Sequence, residues 1–132
     1  MKAMLDTNIC IYIIKKQPQS VLDKLLASST ADIGISAITV AELRYGATKS
    51  EQSQRNHNAL DEFLSSFEIA AFDQPATVTY GKIRTALEKK GRPVGPLDTL
   101  IAAHALSLEI PLITNNEKEF RQVPDLIVEN WV

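Results

Sequence analysis

The segment Met4-Leu5-Asp6-Thr7-Asn8 is the part of the sequence that decides the predicted fold. An apolar run ends at Asp6, and a second hydrophobic pattern begins at Ile9. This order predicts a buried strand followed directly by a helix. In open parallel sheets, ligands bind outside the carboxyl ends of the strands, so Asp6 lies where chemistry is expected. Aspartate is also a favourable helix N-cap, and the two roles are compatible.

Length and composition predict a single domain over residues 1–132. The chain has 45% hydrophobic and 23% charged residues, as in ordinary globular proteins. No apolar run is long enough to span a membrane, and the N-terminus does not resemble a signal peptide. The one cysteine, Cys10, lies between two isoleucines, and we expect it to be a buried thiol in a reducing compartment. We therefore predict a cytoplasmic protein that does not enter a membrane.

Hydrophobic segments of strand and helix type alternate along the chain, which predicts an α/β fold. The expected architecture is a five-stranded, mainly parallel sheet with helices on both faces. We predict strands over residues 2–5, 32–36, 67–72, 111–114 and 126–128. We predict helices over residues 7–16, 18–27, 37–48, 51–65 (capped by Ser50), from Asp73 to near Gly91, 96–108 and 116–120.

Glu42 interrupts the apolar stripe of its predicted helix. It shares that stripe with Ile38, Ala41 and Tyr45 at helical spacing. A buried glutamate without a partner is costly and rare, which favours a functional role. The alternative is that Glu42 lies at the edge of the stripe and reaches solvent.

Asp98 is likewise an acidic residue on the apolar face of a predicted helix, the one that begins at Pro96. It shares a helical face with Ile101, Ala102 and Ala105. A negative charge in a first turn also interacts favourably with the helix dipole. The dipole alone does not explain why the carboxylate lies on an apolar face.

Asn116 and Glu119 follow the fourth predicted strand. Their spacing is that of a capping-box-like pair, which is one interpretation. Their position at the carboxyl end of a strand suggests the other, a place in the same site as the three acids.

Several carboxylates can share a pocket only if they are protonated or neutralised by a cation. Oxygen ligands without histidine or cysteine suit hard cations such as Mg²⁺ or Mn²⁺. His57 lies in the polar run Arg55-Asn56-His57-Asn58, and His104 has no metal-ligand partner four residues further on, so we interpret both as structural. The formal net charge of −2 argues against nucleic-acid binding by bulk charge, but it allows a local basic face beside such a pocket.

Four segments together resemble the PIN domain and, more narrowly, the VapC toxins of bacterial VapBC toxin–antitoxin modules. They are Met4-Leu5-Asp6-Thr7-Asn8, Ser36-Ala37-Ile38-Thr39-Val40-Ala41-Glu42-Leu43, Gly91-Arg92-Pro93-Val94-Gly95-Pro96-Leu97-Asp98 and Thr114-Asn115-Asn116. The resemblance implies a Mg²⁺-dependent endoribonuclease, with Mn²⁺ as a substitute, that a VapB-type antitoxin inhibits. It also implies a homodimer and an RNA substrate, for which we expect the anticodon loop of initiator tRNA.

The resemblance assigns the acidic metal-site positions to Asp6, Glu42 and Asp98. Many PIN domains have an aspartate shortly after the threonine of the fourth strand. This chain has Asn116 there, with Glu119 one turn further on. Whether one or two metal ions are held, and which of Asn116 and Glu119 contributes, therefore stays open.

The basic run from Lys82 to Arg92 is a candidate RNA-binding surface. It contains Lys82, Arg84, Lys89, Lys90 and Arg92 against one acid, Glu88. Such a run could follow a phosphate backbone into the acidic pocket. The alternative is an ordinary solvated helix face.

Two other functions compete with the ribonuclease prediction. A receiver-like module of similar class would accept a phosphoryl group on an aspartate, but Asp98 begins a helix and no lysine follows the last predicted strand. A catalytically inactive PIN-like interaction module is the second alternative, and Asn116 is the feature that favours it.

Overall fold

Five short strands form one sheet at the centre of the protein. The computed structural model describes all 132 residues, from Met1 to Val132. Every neighbouring pair of strands is parallel, so the predicted α/β class is confirmed and the sheet is wholly parallel. The spatial order is β3-β2-β1-β4-β5. The strands are β1 (Ala3–Leu5), β2 (Ile33–Ser36), β3 (Glu68–Ala70), β4 (Leu112–Ile113) and β5 (Val128–Glu129).

Seven α-helices surround this sheet, in the predicted order along the chain. They are α1 (Thr7–Lys15), α2 (Gln19–Leu26), α3 (Ala37–Lys49), α4 (Ser53–Leu64), α5 (Gln74–Lys89), α6 (Pro96–Ser107) and α7 (Glu117–Phe120). A 3-10 turn, Thr30–Asp32, precedes β2. None of the helices combines the length and apolar character that crossing a membrane requires.

Side chains of the strands alternate between two hydrophobic clusters, one on each face of the sheet. Leu5 and Ile113 pack with residues of α1 to α4, whereas Met4 and Leu112 pack with residues of α5 to α7. Successive side chains of a strand point to opposite faces, which explains the division. The prediction of helices on both faces is therefore confirmed.

Two local predictions were wrong. The last strand is Val128–Glu129 rather than residues 126–128, because Thr114 N–H bonds to the carbonyl of Glu129 and sets the register. Ser50 does not cap α4. Its hydroxyl donates to the carbonyl of Ala47 at the end of α3, and Gln52 precedes the first turn of α4 without a side-chain cap.

The order of the strands creates a switch point between β1 and β4. Chain connections run outward in opposite directions from these two neighbours: β2 follows β1 on one side, and β5 follows β4 on the other. Ligands of open α/β sheets bind outside the carboxyl ends of the strands at such a point. The residues immediately after the two strands are Asp6 and Thr114.

Candidate active site

Asp6 lies at the switch point and is almost completely buried, with 3% of its surface exposed. Its Oδ1 accepts a hydrogen bond of 2.9 Å from the backbone N–H of Ile9, so it is the N-cap of α1. Its Oδ2 accepts from the hydroxyl of Thr114 across the two strands. Burial raises the pKa of Asp6, the two hydrogen bonds lower it, and the charge of Glu42 raises it again. The N-cap role therefore coexists with a position in the candidate site.

Glu42 reaches the same region from α3. Its Oε1 accepts a hydrogen bond of 2.8 Å from the hydroxyl of Thr7, the residue that follows Asp6. The negative charge of Glu42 raises the pKa of both Asp6 and Asp98.

The prediction of which face of α3 is buried was wrong. The helix buries Thr39, Leu43 and Ala47, at intervals of four residues, whereas Tyr45 of the predicted stripe is 66% exposed. Glu42 lies beside the buried face and is partly exposed. Glu42 therefore lies at the edge of the buried face and reaches solvent, as the alternative interpretation predicted.

Asp98 is the most strongly perturbed carboxyl of the site. It lies in the first turn of α6, partly buried, and its pKa rises to about 6. Burial is the largest cause, followed by the charges of Glu119, Glu42 and Asp6 and by a hydrogen bond with the Glu119 carboxyl. The charged form of Asp98 is therefore disfavoured beside the other carboxylates until the pH rises above about 6.

Glu119 is held in place by two donors. The backbone N–H of Gly95 donates to its Oε1 over 2.8 Å, and the side-chain amide of Asn116 donates to its Oε2 over 2.6 Å. The backbone N–H of Asn116 itself bonds to the hydroxyl of Thr114. Asn116 makes no side-chain cap on α7, so the capping-box interpretation was wrong. Asn116 instead orients Glu119 toward Asp98.

The cluster therefore contains four carboxylates, Asp6, Glu42, Asp98 and Glu119, and no cation offsets them. None of the four ion pairs of the chain involves these residues. No three acidic side chains lie at the spacing of direct ligands of one ion. Mg²⁺ commonly binds one or two carboxylates and keeps several waters, so this donor set fits such an ion.

The predicted basic run is distributed over three pockets. Lys82 and Lys89 line one pocket along α5, and Arg84 lines a second. Arg84 is also 3.9 Å from Glu88 in an ion pair. Lys90 and Arg92 line a third pocket. The helical turn of α5 rotates neighbouring residues to different faces, so the run does not form one row.

Both histidines make structural contacts, as expected. His104 is buried, and its Nδ1 is 2.7 Å from the hydroxyl of Ser36. His57 contacts Arg44 and Thr48 on the surface of α3 and α4. Cys10 is fully buried, and burial raises the pKa of its thiol well above its usual value.

Two hydroxyl groups of the site were missed by the sequence analysis. Thr7 orients Glu42, and Thr114 orients Asp6. Thr114 directly follows β4, and Thr7 follows Asp6 at the end of β1, so both lie at the carboxyl end of a buried strand, which was the available signal.

Comparisons with known proteins agree with this geometry. Residues 3–126 match the PIN domain. The chain is 49% identical over 129 residues to ribonuclease VapC2 of Rickettsia felis, covering 97% of this chain and 96% of that protein. The chain belongs to the PIN domain family and, within it, to the VapC ribonucleases. It is also 42% identical to the tRNA(fMet)-specific endonuclease VapC of Shigella flexneri, over 99% of this chain and 98% of that one.

A solved structure shows the same PIN fold. The crystal structure of VapBC2 from Rickettsia felis, bound to a DNA fragment from the promoter, contains a chain that matches with a TM-score of 0.93 and 46% identity over 100% of both chains. The predicted family and enzyme class, a VapC ribonuclease, are therefore confirmed, and the receiver-like alternative is not supported. PIN-domain ribonucleases generally depend on divalent metal ions, in agreement with the oxygen donors of the acidic cluster.

Proposed function

We propose that this VapC ribonuclease is the toxin of a type II toxin–antitoxin module and that it cleaves structured RNA in a Mg²⁺-dependent hydrolysis at the acidic cluster. The anticodon loop of initiator tRNA is the proposed substrate. The observation that supports the site best is the group of four carboxylates without a cationic partner beside the switch point. The tRNA(fMet)-specific relative from Shigella flexneri, 42% identical, supports the substrate.

In this proposal Asp6, Glu42 and Asp98 hold Mg²⁺ together, one or two of them as direct ligands and the rest through water molecules that the ion retains. A bound Mg²⁺ supplies a water of lowered pKa and stabilises charge on the phosphate oxygens. The chain holds two of these carboxylates through hydroxyl groups: Thr114 donates to Asp6 and Thr7 donates to Glu42. These donors fix the carboxylate oxygens before substrate arrives, which preserves geometry during the reaction.

Asn116 and Glu119 form the second part of the proposed catalytic site. Glu119 adds the fourth negative charge beside Asp98, and Asn116 fixes its orientation. Glu119 would thus supply the charge that an aspartate at position 116 supplies in many PIN domains, through water or directly. Its removal should weaken metal binding less than removal of Asp98, because Asp98 is coupled to three other carboxylates.

The proposed substrate contacts come from the exposed cations Lys82, Arg84, Lys89, Lys90 and Arg92. Contacts between such cations and phosphates supply most of the sequence-independent affinity for nucleic acid. Since tRNA is a cytoplasmic molecule in bacteria, the cytoplasm is the proposed location of the protein.

The proposed partners are a VapB-type antitoxin and a second copy of this chain. The similar chain from Rickettsia felis was solved as a VapBC2 complex. Apolar side chains are exposed on three neighbouring helices: Ile14 on α1, Leu26 on α2 and Tyr45 on α3. Inhibition would follow if a basic antitoxin side chain lay among the carboxylates and displaced the metal.

A cleavage assay tests the activity. The purified protein is incubated with initiator tRNA, or with an elongator tRNA, in Mg²⁺, in Mn²⁺ or in chelator. We expect cuts in the anticodon loop of the initiator tRNA that need the metal and that are lost in Asp98→Asn and Glu42→Gln. The control Asp23→Asn, on the exposed surface of α2, should cleave normally. Metal-independent cleavage, or full activity of both site variants, would contradict the proposal.

The partners need separate measurements. Light scattering of the protein alone should give twice the 14.6 kDa mass of one chain. Addition of a cognate antitoxin should stop cleavage. An inhibited complex that still binds metal with unchanged affinity would rule out displacement as the mechanism.

A further inference from the structure

A second charged feature shares helix α7 with the acidic cluster. An open pocket of about 690 Å³ is lined by Lys90, Arg92, Lys118, Arg121 and Gln122, without an acidic or apolar residue. We call it the basic pocket. In a chain of net charge −2, this concentration of cations is not a consequence of composition. Such a concentration of positive charge favours binding of a negatively charged ligand.

The two walls of the basic pocket come from separate parts of the chain. Lys90 and Arg92 follow the end of α5, whereas Lys118 and Arg121 belong to α7 and its C-cap. The hydrogen bond from Gly95 N–H to Glu119 joins the two segments. The same side chain, Glu119, faces Asp98 in the acidic cluster. Glu119 therefore links the segment after α5 to α7 and belongs to the acidic cluster, while its neighbour Lys118 lines the basic pocket.

Most of the positive charge of the basic pocket is available to a ligand. Lys90, Arg92 and Lys118 take part in no ion pair of the chain. Arg121 is already paired with Glu117 at 2.7 Å, so its charge is partly offset. Gln122 donates to the carbonyl of Lys118 and helps to hold the turn.

We propose that the basic pocket is a phosphate-binding subsite that holds the RNA backbone next to the cleaved bond. The acidic cluster repels a polyanion, and adjacent cations would offset that repulsion while leaving the scissile phosphate to the metal. Arginine and lysine are the side chains that contact phosphates, and such contacts position a strand without reading its sequence. This proposal rests on the proposed ribonuclease function, and it adds Lys118 and Arg121 to the substrate contacts.

A pair of charge-matched variants tests the subsite. Arg92→Gln/Lys118→Gln removes one cation from each wall. The control Lys24→Gln/Arg55→Gln removes the same two charges from exposed positions on α2 and α4. Both variants are probed with initiator tRNA in chelator, so that binding is measured without cleavage, over a range of salt concentrations.

We expect RNA binding by Arg92→Gln/Lys118→Gln to depend less steeply on the salt concentration than binding by the wild type. Each phosphate contact with single-stranded RNA contributes about 0.7 to the slope of log K against log salt, so two lost contacts should reduce the slope by about 1.4. At about 0.1 M salt this corresponds to roughly 25-fold weaker binding. The control should keep the wild-type slope. In Mg²⁺, the first variant should raise KM and leave kcat nearly unchanged, because the contact exists in both ground and transition states.

The conservative variant Arg92→Lys/Lys118→Arg should retain both slope and affinity, which separates charge from fold. An unchanged salt slope in Arg92→Gln/Lys118→Gln would overturn the proposal. An equal reduction of the slope in the control Lys24→Gln/Arg55→Gln would overturn it as well. Loss of antitoxin affinity with unchanged RNA affinity would assign the basic pocket to an acidic protein segment instead. If the wild type binds RNA but never cleaves it, the proposed function fails, while the binding comparison still decides the subsite.

Discussion

The substitution Asp98→Asn gives the sharpest test of the acidic cluster, because two physical roles for Asp98 predict opposite results. Asparagine keeps the size of the side chain and removes one negative charge. If Asp98 belongs to a crowded carboxylate site, the metal-free protein should become more stable. If Asp98 mainly interacts with the dipole of α6, loss of its charge should cost about 0.3–1 kcal/mol.

The expected gain follows from the pKa of Asp98, which rises from 3.8 to about 6 in the folded protein. A shift of this size corresponds to at most about 3 kcal/mol, and solvent screening of a partly buried group reduces it to about 1–2 kcal/mol. Below pH 3.8 the group is protonated in both states, so it does not affect stability. As the pH rises toward 6, the unfolded chain releases the proton first, and the wild type loses stability.

Urea unfolding in chelator at several pH values measures this effect. Asp98→Asn should match the wild type near pH 3.5 and exceed it by about 1–2 kcal/mol above pH 7. The control Asp23→Asn should stay within about 0.5 kcal/mol at each pH. Cleavage of initiator tRNA in Mg²⁺ should be lost only in Asp98→Asn. A variant that is less stable at pH 7 and fully active would refute the metal-site role of this residue.

Three further substitutions test individual contacts. Thr114→Val leaves the buried Asp6 without its hydroxyl donor and should lower the free energy of unfolding by about 1.5–3 kcal/mol in chelator. Thr114→Ser keeps the hydroxyl and should retain most of the wild-type stability. Equal losses of stability in the two variants would contradict the hydrogen-bond role. Among the neighbouring charges, that of Glu119 has the largest effect on the pKa of Asp98. In Glu119→Gln this pKa, followed by NMR titration, should therefore fall from about 6 toward 3.8. An unchanged pKa would exclude an interaction between the two carboxyl groups. Burial lowers the pKa of His104, so the unfolded chain takes up the proton first and the wild type should lose stability as the pH falls below about 6.5. In thermal unfolding, His104→Phe should be less stable than the wild type at pH 7.5. It should, however, lose less stability than the wild type between pH 7.5 and 5.

Local patterns in the sequence were sufficient to predict the fold class and much of the candidate site. Strand and helix periodicities depend on neighbouring residues, and they predicted all five strands and all seven helices in order. Asp6 and Asp98 were recognisable because each begins a helix, one directly after a buried strand and one on an apolar face. The four short motifs predicted the family, since each contains a chemically distinctive residue at a defined position.

Only the tertiary structure decided which of these residues contact one another. Asp6 and Thr114 are 108 residues apart in the sequence, and they meet because β4 lies beside β1. The face that α3 buries was predicted wrongly, because the packing of its neighbours decides it rather than the average hydrophobicity of a stripe. Lys118 likewise joins Arg92 in the basic pocket through the fold of two separate segments. Strand order and helix packing depend on contacts between distant residues, and no local spacing in the sequence contains that information.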